Sequence, residues 1–177
     1  MSWYEYVIYG FSILTIVGNA LIVLIAASYL PGCARFRGFI ERRVLLWMFF
    51  VAFAATVGSL FFSEVAGIEP CRLCWFQRIF MYPQAIILLV AAWNSDVRVW
   101  RYVLPLSLFG GVIAAWHYGE HLWTALHPAD PTVPCSLDGI SCAVAPFWHF
   151  GYVTIPLMAC TAFVLTAIGS VWLVRRR

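Results

Sequence analysis

Five apolar stretches of about twenty residues, at 7–30, 44–66, 75–93, 103–122 and 148–174, leave this 177-residue chain little else to fold with. A run of that length crosses the hydrocarbon core of a bilayer as a helix, and in lipid a helix satisfies its own backbone groups. Only 11% of the residues are charged and 63% are hydrophobic, against about 25% charged in soluble domains. No repeat, low-complexity tract or soluble domain fits between the stretches. The expectation is an all-α polytopic membrane protein, with no feature that points to nucleic acid.

The first stretch is read as a retained span. A signal peptide has a basic leader and a short apolar core, whereas Ser2-Trp3-Tyr4-Glu5-Tyr6 carries no basic residue and the apolar run behind it is long. All eleven basic residues are arginines. Arg35, Arg37, Arg42 and Arg43 fill the first connection, Arg98 and Arg101 the third, and Arg175, Arg176 and Arg177 end the chain. The connection over 123–147 has none; its charges are Asp130 and Asp138. The positive-inside rule then puts the N-terminus outside and the C-terminus in the cytoplasm.

That topology puts four of the six cysteines on the outer side, where disulfides persist. Cys71 and Cys74 form a Cys-x-x-Cys pair, and Cys135 and Cys142 a second close pair. Cys33 and Cys160 read as small apolar fillers. Pro70 prevents helix continuation from Glu69, so Cys71 and Cys74 open the third helix. Their spacing puts both sulfurs on one face, and Arg78 follows Cys74 by one turn on that face. A helix N-terminus and a guanidinium both favour a thiolate. Cys74, nearer to Arg78, is the better candidate to meet an oxidant dissolved in the membrane. Arg78 could hold a developing anion on it through charge-assisted hydrogen bonds. Other readings stay open on the residues alone: Arg78 snorkelling to the interface, four thiolates binding zinc, and Cys135–Cys142 as a static staple of a Pro- and Asp-rich loop.

The run Phe62-Ser63-Glu64-Val65, with Glu69-Pro70-Cys71-Arg72-Leu73-Cys74-Trp75-Phe76-Gln77-Arg78-Ile79-Phe80-Met81-Tyr82-Pro83, resembles the disulfide bond formation protein B family, in its BdbC branch. Trp116-His117-Tyr118 and the run from Phe150 to Met158 agree with it. The resemblance implies a four-helix bundle over 44–177, leaving 1–43 as an extra N-terminal membrane helix and its cytoplasmic connection. It implies a thiol:quinone oxidoreductase that reoxidises a thioredoxin-like extracytoplasmic thiol oxidase of the DsbA/BdbD kind and passes electrons to ubiquinone or menaquinone. Cys71 and Cys74 would be the quinone-coupled pair, with Cys74 the charge-transfer partner of the quinone and Arg78 supporting both. Cys135 and Cys142 would face the protein partner, with Cys135 accepting attack. His117 or His121 would border the quinone, and no resident metal is implied. The alternatives are a quinone reductase related to vitamin K epoxide reductase, a non-enzymatic metal-binding membrane protein, and a structural subunit with stapled loops.

Overall fold

The computed structural model describes residues 3–28, 43–127 and 141–175. Cys33, Cys135, most of the first arginine-rich connection and most of the Pro- and Asp-rich loop lie outside them.

The described residues are helical, with a single isolated bridge between His149 and Val153 and no strand. The helices are α1 (Trp3–Ala27), α2 (Val44–Leu60, continued as a π-helical turn over Phe61–Val65), α3 (Arg72–Asn94), α4 (Trp100–Leu126, entered through a 3-10 turn at Val97–Val99) and α5 (Ile155–Arg175). All five are long and apolar enough to cross a membrane, with mean hydropathies of 1.3 to 2.2. Pro83 and Pro105 lie inside α3 and α4, where neighbouring helices can compensate the freed backbone groups.

The final helix starts later than the apolar run suggests, at Ile155 instead of residue 148. The chain turns back through Phe150 and Gly151, whose φ angles are 54° and 78°, and Pro156 then occupies the first turn of α5. Aromatic residues raise hydropathy there without continuing a helix.

Helices in lipid gain little from burying one apolar face, so close backbone approach and interhelical hydrogen bonds decide their neighbours. Gly110 of α4 admits the buried Phe163 ring of α5, and a Cβ there would lie 2.3 Å from it. Gly169 of α5 likewise admits Met48 of α2. In the centre, Ser107 Oγ lies 2.9 Å from both Gln84 Oε1 and Thr166 Oγ1, joining α3, α4 and α5. Leu88, Val103, Phe163 and Leu173 are fully buried in the apolar core of the bundle.

Helix α1 is attached to the other four. Thr161 Oγ1 donates to Asn19 Oδ1 at 2.8 Å, Gly18 meets Thr161, and Phe11 fills the space over Gly58. At its N-terminal end, Ser12 Oγ lies 2.7 Å from His149 Nδ1, and the His149 ring is stacked between Tyr9 and Phe147.

Candidate functional site

Pro70 ends the extended link from α2, and Cys71 becomes the N-cap of α3 with β-region backbone angles. Cys74 therefore sits in the first turn. Both cysteines are thiols in this structure, with Cys71 Sγ donating to Cys74 Sγ at 3.2 Å. The hydrogen bond to Cys74, and then burial, push the Cys71 thiol up to about 12. Cys71 thus keeps its proton at neutral pH and aims it at Cys74.

The pair has two different sides. On one, His117 of α4 is buried with Nε2 3.0 Å from the Cys142 carbonyl and 3.6 Å from Cys71 Sγ. A carbonyl only accepts, so Nε2 carries the proton. Nδ1 is then the acceptor, and Gln77 Nε2 donates to it at 2.9 Å. One neutral tautomer thus satisfies Gln77, Cys142 and Cys71 together. Cys142 is fully buried in this cluster. His121 is buried one turn further along α4, edge-on to His117 at 4.7 Å.

On the other side a cavity of about 470 Å³ opens between α1, α2, α3 and α5. Cys74, Gln77 and Arg78 line it; Cys71, His117, His121 and Cys142 do not. Arg78 is 8% exposed. Its Nη2 donates to the Ser59 carbonyl at 3.1 Å, and its guanidinium lies 5.2 Å from the Trp75 ring centroid. Its Nε–H has no partner among the described residues. A buried charged group with an unpartnered N–H is costly; that Nε–H is enclosed by protein, while the Arg78 side chain itself lines the cavity.

The sulfurs of Cys71 and Cys74 and a ring nitrogen of His117 also lie within 4.8 Å of one another, a soft-donor set that could meet a metal ion. The structure brings together Cys71, Cys74, Cys142, Arg78 and both histidines; Cys135 is outside the described residues. Sequence reasoning missed Gln77 and the Ser59 carbonyl. Gln77 carried a usable signal, an uncharged polar residue inside an apolar run, whereas a backbone acceptor carries none.

A membrane-embedded helical bundle with a thiol pair at a helix N-terminus, a third cysteine held against it and a buried arginine defines a class: dithiol proteins working at a membrane face. The comparisons give the family. Residues 41–173 match the family described as disulfide bond formation protein DsbB, and the chain belongs to it. It is 43% identical over 134 residues to a probable disulfide formation protein of Metapseudomonas resinovorans, covering 76% of this chain and 90% of that protein. It is 43% identical over 121 residues to disulfide bond formation protein C of Bacillus subtilis (67% and 83% covered). To a probable disulfide formation protein of Deinococcus radiodurans it is 39% identical over 139 residues (74% and 87% covered). No solved structure matches. Its role is therefore in disulfide bond formation.

Proposed function

We propose that this protein is a thiol:quinone oxidoreductase that regenerates the disulfide of an extracytoplasmic thioredoxin-like oxidase. The observation that carries the reading is the two-sidedness of the Cys71–Cys74 pair: His117, hydrogen-bonded to the Cys142 carbonyl, stands on the Cys71 side, and the Arg78 cavity on the Cys74 side.

In this mechanism two partner thiols reduce a Cys135–Cys142 disulfide and leave as the partner's disulfide. The resulting Cys142 thiolate attacks Cys71 of the oxidised Cys71–Cys74 pair, and Cys74 leaves as the thiolate. Cys135 then resolves the Cys71–Cys142 bond, so Cys71 and Cys74 hold two electrons as a dithiol. When bound, a quinone would supply the sink for these two electrons and two protons. His117 Nε2–H steadies sulfur charge at Cys71 and holds the Cys142 backbone in range, while Gln77 keeps that tautomer. Arg78, which lines the cavity with Cys74, would offer its guanidinium to a quinone oxygen and its charge to the Cys74 thiolate. Two pairs are needed because a soluble partner cannot reach a site at lipid depth, and thiol exchange alone generates no oxidising power. The arginine distribution supports placing these cysteines outside an inner membrane.

Reconstitution with a reduced thioredoxin-like protein and ubiquinone or menaquinone tests this. Thiol loss and quinol formation should match one to one per disulfide; thiol loss without quinol formation refutes it. The Cys71, Cys74 and His117 cluster favours a second reading, zinc binding, which stoichiometric zinc in the purified reduced protein would support.

A further inference from the structure

We infer that α1 is a wall of the quinone site, and that its face from Phe11 to Leu21 holds the polyisoprenoid tail. The inference rests on the quinone reading above and adds what the extra helix does.

The cavity is chemically lopsided. Its cation, Arg78, and its thiol, on Cys74, lie at the end near the α3 N-terminus. Three of its hydroxyls are committed elsewhere, Thr15 donating to the Phe11 carbonyl, Tyr82 to Ser59 Oγ, and Thr161 to Asn19 or the Leu157 carbonyl, and Ser59, the fourth, lies beside Arg78, whose Nη2 donates to its carbonyl. A headgroup therefore has one place to bind. The remainder, toward Leu21, Val51 and Leu165, offers apolar surface only. From α1 the lining comes from Phe11, Leu14, Thr15, Val17, Gly18 and Leu21, which recur at helical spacing on one side. Ten residues of helix run about 15 Å, so this wall is long enough to lie along an extended tail.

Helix α1 is held for this purpose without being absorbed into the core. Phe11 over Gly58, Gly18 against Thr161 and the Asn19 hydrogen bond seat it. Yet Leu14 and Val17, which line the cavity, remain 51% and 58% exposed. The family match begins at residue 41, so α1 lies outside the part shared with the family. Without α1, this side of the cavity would open directly to lipid.

Photolabelling of the full chain in lipid nanodiscs tests the inference with two probes, a quinone bearing a diazirine on the ring and one bearing it in the tail. The ring probe should label α3 near Arg78, and the tail probe should label α1 between residues 11 and 21. Excess unlabelled long-tailed quinone should suppress both. In Val17→Trp, which narrows the cavity from the lipid side, tail-probe affinity should fall about tenfold, equivalent to losing burial of roughly two methylene groups. Affinity for a tail-less quinone should hold within about twofold. Absence of competable ring labelling near Arg78 would overturn the quinone reading itself. Ring labelling near Arg78 with α1 unlabelled, or labelled in a way excess quinone does not suppress, would overturn the role of α1 alone and leave α1 a lipid-facing helix.

Discussion

Replacing Arg78 with Met separates an anchor from a ligand-binding group. The side chain is 8% exposed, donates once to the Ser59 carbonyl, has an Nε–H with no partner among the described residues, and lines a cavity together with Cys74. Methionine keeps much of the length and removes the charge. Fold stability should change little, because no described carboxylate is left stranded and Ser59 O also accepts from Ser63 Oγ at 3.4 Å. What is lost is one charge-assisted hydrogen bond to a ligand oxygen, worth roughly 1.5–3 kcal/mol, or about ten- to a hundredfold in affinity. The apparent quinone KM and the directly measured quinone Kd should rise by that factor. Disulfide exchange between the protein partner and Cys135–Cys142, followed in single turnover without quinone, should be nearly unchanged. Arg78→Lys should recover only part of the loss, since the ammonium lacks the planar fork. A quinone Kd unchanged in Arg78→Met, with only a lower melting temperature, would refute the argument and leave Arg78 a structural residue.

Gln77→Leu should leave the buried His117 Nδ1 without its donor, at a cost of about 1–3 kcal/mol, and slow electron transfer from Cys142 to the Cys71–Cys74 pair in single turnover. Gly110→Ala should destabilise the bundle by about 1–3 kcal/mol through overpacking, because its Cβ would meet the Phe163 ring at 2.3 Å; Gly119→Ala, with nothing within 4 Å, should melt like the parent. Burial lowers the His149 pKa from 6.5, so its contribution to stability is complete above about 6.5 and is lost as pH falls through the depressed value. The parent should therefore lose more melting temperature than His149→Gln between pH 7.5 and pH 5, and parallel curves would exclude the effect. Impermeant maleimide on intact, reduced cells should label Cys135 and spare Cys33; labelling of Cys33 would reverse the orientation.

The five helices were legible because twenty-residue apolar runs admit few alternatives. The start of α3 was legible because Pro70 leaves Cys71 only the N-cap. The start of α5 was not: Phe147, Trp148, Phe150 and Tyr152 score as apolar whether they form helix or an interfacial turn, and the positive φ at Phe150 is imposed by the turn. The π-helical turn over Phe61–Val65 left no mark in composition. The neighbours of each helix were also hidden. Helices apolar all round show no stripe to point inward, and the contacts that choose partners are single glycines and hydroxyls such as Gly110 and Ser107.

Polar residues inside these helices carry the information that hydropathy lacks. Ser12, Gln77, Arg78, Gln84, Ser107, His117, His121, Thr161 and Thr166 are all buried, as expected where lipid-facing polarity is costly. Burial alone does not tell scaffold from site; satisfaction of hydrogen bonds does. Around Ser107, Gln84 and Thr166 the donors and acceptors close on one another, and every hydroxyl also reaches a helix carbonyl. Such a network fixes packing and asks for nothing more. Around Arg78 the set does not close: its Nε–H has no partner among the described residues, and the side chain lines a cavity that holds a thiol at the same end. An unsatisfied donor at membrane depth costs free energy that folding alone gives no reason to spend. The same contrast separates the two sides of the thiol pair. The His117 ring is satisfied by Gln77 and Cys142 on the Cys71 side and suits exchange within the protein, although both ring nitrogens of the neighbouring His121 are unpartnered among the described residues; the Arg78 side opens on the cavity and suits a partner that arrives from the lipid.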